Sequence, residues 1–194
     1  GYSSAASDVY KRQLLPLVDI CIANDEDAPA GLGMTCVSGS LAHGIEERDT
    51  YVEMARQICA EYGCKKVASV VRNISCVERS IWMGMLFDAE SGEHWFSPAH
   101  DVHVLEGVAA GDAFNAGLVH ALINDFDPQD AVNYAIAASI LKLTIKGDSN
   151  LVTAGEIAAV ASAAEKWEIS IVLFSISALS VSYTHLTLPT NSLV

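Results

Sequence analysis

Residues 108–117 read Val-Ala-Ala-Gly-Asp-Ala-Phe-Asn-Ala-Gly, a run of small side chains leading into a helix with one acid, Asp112, at its start. Small residues let backbone N–H groups approach a ligand, and the first turn of a helix offers unpaired N–H groups that favour anions. A carboxylate there could accept a hydroxyl proton while the N–H groups hold a phosphoryl group. The segment is a candidate phosphate site with a base; the alternative is a turn capping an Ala-rich core helix.

Upstream, the apolar pattern predicts a strand, a helix and a second strand. Residues 18–23 are apolar except for Asp19 and indicate a buried strand, and apolar side chains then recur at helical spacing from Glu46 to the stop at Gly63. Lys66–Arg72 is rich in β-branched residues. This order is typical of a parallel α/β sheet.

Downstream, residues 81–87 and 94–96 flank a polar turn, which predicts a hairpin, and residues 101–105 alternate as a strand. The helix that starts near Gly111 is followed by two further helix starts. Asp127 precedes a first-turn proline as an N-cap, and Thr153 with Glu156 has the spacing of a capping box, before a helix to about residue 167.

Polar residues follow both upstream strands, where ligands of open α/β sheets usually bind. Asn24 to Asp27 end the first strand, with an acidic solvated turn as the equal alternative. Arg72 ends the second and could meet a nucleotide phosphate, or be a surface arginine. His100 and His103 face opposite sides of their strand, so no metal is assigned to them.

The composition limits the classes of function. A net charge of −13 and a pI near 4.6 argue against a nucleic-acid surface, and 51% hydrophobic residues suffice for a core. Five cysteines without a Cys-x-x-Cys pair favour neither a disulfide framework nor a zinc ribbon, which fits a reducing, cytoplasmic setting. We expect no secretory signal, because the first residues lack a basic segment followed by an apolar run. We expect no membrane segment, because the apolar stretch 169–181 is too short to span a bilayer.

Several motifs in order resemble the ribokinase-like (PfkB) carbohydrate kinases, and most closely the 2-keto-3-deoxygluconate kinases. The family motifs are residues 108–117, 127–132, 137–139 with Lys142, and 147–152. Residues 18–27, 66–68 with Arg72, and 101–104 match the pattern of the 2-keto-3-deoxygluconate kinases in the same order. The resemblance extends over roughly residues 14–166. It implies a ribokinase-like three-layer α/β/α fold, truncated to its C-terminal nucleotide-binding part.

The resemblance implies ATP-dependent phosphorylation of a sugar-acid hydroxyl. Asp112 matches the catalytic base, and Ala110 and Gly111 match the anion hole that it completes. Ala109 replaces the usual first glycine of this motif; a left-handed backbone there would cost about 1–2 kcal/mol. Glu106 stands where an aspartate is usual.

Further residues match cofactor positions of the family. Asn24 and Asp27 match the motif that organises Mg2+ beside the phosphates of ATP, and Arg72 falls where the family approaches the triphosphate. Ile136 and Ser139 fall on the helix that lines the adenine pocket. The expected partners are a small sugar acid and ATP, with no nucleic acid and no membrane.

The two ends differ from the rest of the chain. Residues 8–13 and 181–191 resemble translated sequencing-adaptor read-through. We therefore expect a non-native leader, residues 1–13, and a non-native tail, residues 168–194, around a sugar kinase portion, residues 14–167. Nothing matches the family's N-terminal half, which carries most sugar contacts. The acceptor therefore stays open to another sugar or a nucleoside. The chain could also be a nucleotide-binding fragment without catalysis, or a structural domain without a ligand, and an uncovered sheet edge could produce a homo-oligomer.

Overall fold

The structure, a computed structural model, describes residues 12–24, 28, 32, 43–76 and 78–163. Within these residues a five-stranded mixed sheet lies between two layers of helices. The strands are β1 (Ile20–Ile22), β2 (Lys66–Cys76), β3 (Arg79–Asp88), β4 (His94–Phe96) and β5 (His100–His103). The helices are α1 (Arg48–Tyr62), α2 (Ala110–Ile123), α3 (Pro128–Leu143) and α4 (Ala154–Ala163). The expected α/β/α layering is confirmed.

The predicted strand–helix–strand unit is present as β1, α1 and β2. β1 pairs in parallel with β2, with Ile20 opposite Lys66. α1 ends where the sequence indicates, because Gly63 takes a left-handed conformation (φ 78°) and its N–H donates to the Cys59 carbonyl. This crossover sets the carboxyl ends of both strands toward one edge of the sheet.

β2 is longer than the sequence predicts. It forms an antiparallel hairpin with β3 that runs from Lys66 opposite Asp88 to Cys76 opposite Arg79. Arg72 therefore lies inside a strand and not at its end, because β3 supplies a partner along the whole length of β2. β4 and β5 both pair with β3, which confirms the predicted β3–β4 hairpin and delivers the chain to α2.

Each face of the sheet has its own apolar core. On one face α1 buries Tyr51, Met54 and Ile58 against the sheet. On the other, α2, α3 and α4 pack together over the sheet, with Phe114 and Leu118 fully buried. Alternation of side chains along the strands produces this division.

The predicted starts of α3 and α4 are found. Asp127 holds the N-cap position before Pro128, although it makes no capping side-chain hydrogen bond. At α4 the capping box is complete: Thr153 N–H donates to Glu156 Oε2 (2.7 Å), and Glu156 N–H donates to Thr153 Oγ1 (3.3 Å). The predicted end near residue 167 lies outside the described residues. Among the described helices, none has the length and apolarity needed to cross a bilayer.

Candidate functional site

The chain enters α2 through residues 105–110, which we call the α2 entry turn. Its last residue before the helix proper, Ala109, takes a left-handed conformation with φ 61° and ψ 11°. The left-handed backbone considered from the sequence is therefore present, on a residue with a Cβ. Such a conformation is uncommon for a residue with a Cβ and costs about 1–2 kcal/mol.

The first turn of α2 has the properties that an anion site needs. The first helical hydrogen bond runs from Ala113 N–H to the Ala109 carbonyl (2.9 Å), so the N–H groups of Ala110, Gly111 and Asp112 lie ahead of it. Ala109 provides no side-chain cap. A Cβ added to Gly111 would meet no atom within 4 Å, so a ligand can approach this turn.

Asp112 is exposed within this first turn, and no other acid lies in the first turn of α2. Its carboxylate and the three leading N–H groups belong to one helical turn. This arrangement can hold an anion and accept a proton beside it. The predicted residues Ala109, Ala110, Gly111 and Asp112 are thus brought together by local structure.

Ser139 comes to the same place from α3. It is fully buried, and its Oγ donates to the Ala110 carbonyl (2.9 Å). Ile136 is also fully buried on α3. The α3 side chains that border an open groove beside α2 are instead Tyr134 and Ala138. The assignment of Ile136 and Ser139 to an adenine pocket stays a prediction.

Asn24 follows β1 directly. Its Oδ1 accepts from Val70 N–H (3.1 Å), while Ala23 N–H donates to the Ala68 carbonyl (3.1 Å). The amide is therefore fixed at the carboxyl end of β1. Asp27, its predicted companion, lies outside the described residues, and in the part of the chain that is described no three His, Cys, Asp or Glu side chains cluster to hold a metal ion.

Arg72 lies on β2 opposite Trp82 of β3. Its Cζ stands 5.4 Å from the centre of the Trp82 ring, a cation–π distance. Its Nε is buried without a hydrogen-bond partner. The guanidinium therefore packs against the face of the Trp82 ring. A contact between Arg72 and a triphosphate stays a prediction.

Three residues near these elements have no role in the site that the sequence predicts. Trp82 supports Arg72, and His100 lies opposite Trp82 on the next strand. Burial lowers the pKa of His100 to about 4, and both ring nitrogens lack a hydrogen-bond partner. Lys142 is fully buried at the end of α3, where its Nζ donates to the Ile145 carbonyl (3.0 Å). Among the described residues, these three differ from others of their type only by their burial, which tertiary packing sets.

Comparison with known proteins places the chain in a family. Residues 2–154 match the pfkB family carbohydrate kinases. A crystal structure of 2-dehydro-3-deoxygluconokinase from Thermotoga maritima superposes with a TM-score of 0.73 and 30% identity, over 82% of this chain and 46% of that one. A PfkB family carbohydrate kinase from Listeria grayi gives a TM-score of 0.67 and 28% identity over 82% and 46% of the two chains.

A curated relative leads to the same family. The ribokinase of Haemophilus influenzae is 26% identical over 145 residues, which are 74% of this chain and 40% of its own length. The chain therefore spans less than half the length of each of these three relatives.

Proposed function

The chain belongs to the pfkB family of carbohydrate kinases, and on that premise we propose that the intact protein transfers a phosphoryl group from ATP to a hydroxyl of a sugar acid. The acceptor that we propose is 2-keto-3-deoxygluconate, also called 2-dehydro-3-deoxygluconate. Support comes from the 30% identity to the Thermotoga maritima protein of that name. The setting that we propose is cytoplasmic, from the cysteine usage.

One observation carries the proposal: the exposed Asp112 shares a helical turn with the three leading N–H groups of α2. Phosphoryl transfer depends on positioning and on stabilising charge at the transferred group. The N–H groups of Ala110, Gly111 and Asp112 bind the equatorial phosphoryl oxygens. The Asp112 carboxylate accepts the proton that leaves the acceptor hydroxyl.

Magnesium fits this site as an ion held mainly by the triphosphate. It prefers oxygen ligands, keeps several waters, and needs few protein carboxylates beside phosphates. We propose that the Asn24 amide, held by its hydrogen bond from Val70 N–H, would order such water and that Asp27 would supply the charge. When bound, the ion neutralises phosphate charge, which matters in a chain of net charge −13.

Arg72 is the proposed protein cation near the triphosphate. The Trp82 ring restrains the guanidinium, so less side-chain entropy is lost when a phosphate binds.

The test combines binding and turnover for Asp112→Asn. We expect a loss of turnover by a factor of about 10² to 10⁴ with retained Mg-ATP affinity, because the general base is removed while the N–H groups stay. Calorimetry with Mg-ATP on this chain and a coupled assay with 2-keto-3-deoxygluconate on a full-length relative carrying the same substitution measure the two effects. Asp130→Asn, an exposed acid in the first turn of α3, is the control. Near-normal turnover of the Asp112→Asn relative would sink the assignment.

Two alternatives remain as proposals with their own observations. The match to a ribokinase favours another sugar as acceptor, and a panel of sugars and nucleosides in the coupled assay decides this. The short span of the chain favours a nucleotide-binding fragment without catalysis. Mg-ATP binding without turnover by this chain supports that alternative, whereas turnover by the chain refutes it.

A further inference from the structure

The last turns of α3 contact the α2 entry turn on both sides. On the strand side, the Leu143 carbonyl accepts from Leu105 N–H (2.8 Å) and from Glu106 N–H (3.2 Å). On the helix side, Ser139 Oγ donates to the Ala110 carbonyl (2.9 Å). One helix therefore fixes both ends of the segment that precedes the leading N–H groups.

Between these two contacts the segment has little other support. Gly107 and Val108 are exposed, and within the described residues no hydrogen bond holds either of them. The backbone at Ala109 is left-handed, a conformation that costs about 1–2 kcal/mol for a residue with a Cβ. The Ala109 carbonyl accepts from Ala113 N–H within α2, and the contacts with α3 hold the segment from outside that helix.

The Ser139 contact acts on one particular peptide. The Ala110 carbonyl and the Gly111 N–H belong to the same planar unit, so fixing the carbonyl fixes the direction of the N–H. A hydrogen bond to the carbonyl also polarises the peptide and makes its N–H a stronger donor. Ser139 is fully buried, so no water competes for its hydroxyl.

We propose that Ser139 is a positioning residue that orients and polarises the Gly111 N–H for the anion, acting through the Ala110 peptide and not through a nucleoside contact. This inference rests on the proposed function, since the anion is the phosphoryl group of ATP. It assigns to the Ser139 hydroxyl a different task from the adenine contact that the family resemblance implies.

The first experiment compares ligands with and without phosphate on the full chain. For Ser139→Ala we expect Mg-ATP affinity to fall about five-fold, the usual effect of one hydrogen bond, with adenosine affinity unchanged. Calorimetry measures both. Ser162→Ala is the matched control: its Oγ also donates to a backbone carbonyl, that of Ala158, at 2.9 Å, but it is exposed on α4. Unchanged Mg-ATP affinity in Ser139→Ala, or an equal loss for adenosine, overturns the proposal.

A second measurement needs no ligand. In the free protein, the amide proton resonance of Gly111 should move upfield in Ser139→Ala, because its peptide loses polarisation, and should stay in place in Ser162→Ala. An unchanged Gly111 resonance in Ser139→Ala overturns the proposal, whatever the Mg-ATP affinity of that variant. If the resonance moves but the wild-type chain binds no Mg-ATP, the proposed function fails while the control of the Gly111 amide by Ser139 stands.

Discussion

A Cβ atom on Gly117 of α2 would stand 3.0 Å from the Cα of Ala135 on α3, and equally close to the Cβ of Ala138. Both neighbours are fixed to the α3 backbone, so neither can rotate away. α2 and α3 thus pack backbone to backbone, and this close contact sets the distance across which Ser139 reaches Ala110.

We expect Gly117→Ala to lower the free energy of unfolding by about 1–3 kcal/mol, because the added methyl forces the two helices apart. Urea denaturation measures the change. Gly155→Ala is the control, since its Cβ would meet only Thr153 Oγ1, at 4.0 Å, and alanine favours the helix. A Gly117→Ala chain as stable as wild type would contradict the packing described.

Ala109→Gly should stabilise the chain by about 0.5–1 kcal/mol. Glycine removes the left-handed strain at φ 61°, and part of that gain is offset by the greater freedom of glycine in the unfolded chain. Ala116→Gly, at an exposed position within α2, should instead destabilise by about 0.5–1 kcal/mol. Thermal denaturation of both variants provides the comparison, and a loss of stability in Ala109→Gly would rule out strain at this position.

The buried His100 predicts an acid-dependent stability. Its folded pKa is about 4 against 6.5 for the free side chain, so the unfolded chain binds more protons between these values. This contribution is fully present above about pH 6.5, falls as the pH decreases, and levels off below pH 4 after a total loss of about 3 kcal/mol.

Chemical denaturation between pH 4 and 7 measures this slope. His100→Leu should flatten it, because no imidazole has to be charged on unfolding. His103→Gln, at an exposed position on the same strand, should keep the wild-type slope. An unchanged slope in His100→Leu would assign the pH dependence to other groups.

Thr153→Ala should cost about 1 kcal/mol, since it removes the hydroxyl that accepts from Glu156 N–H at the start of α4. Ser162→Ala, near the other end of α4 and exposed, should stay within about 0.5 kcal/mol of wild type. Equal effects of the two substitutions would show that the capping box contributes no more than a surface hydroxyl.

Local signals predicted most of the fold. The stop at Gly63, the proline-led start of α3 and the capping box of α4 are found where the pattern indicates, because caps and turns depend on neighbouring residues. The sequence does not indicate the β2–β3 hairpin. Its connection, residues 77–78, contains no glycine, proline, asparagine or aspartate, so no turn signal marks it.

In the candidate site, too, the sequence predicts some features and only the strand pairing decides others. Ala109 to Asp112 could be identified from the sequence because the leading N–H groups, the dipole and the acid lie within one helical turn. Asn24 could be identified as a polar residue that follows a strand, whereas Arg72, predicted at a strand end, lies inside β2. The partners of their side chains, Val70 and Trp82, follow from strand pairing.

The sequence by itself determined the order of strands and helices and the exposed acid at the start of α2. Only the tertiary structure decided that Ser139 meets the Ala110 carbonyl, 29 residues away, and that His100 is buried without a partner. Periodicity and caps encode how each segment folds. Which peptide the buried Ser139 hydroxyl reaches depends on how closely α2 and α3 pack over the sheet. The sequence pattern within one helix does not determine the distance between two helices.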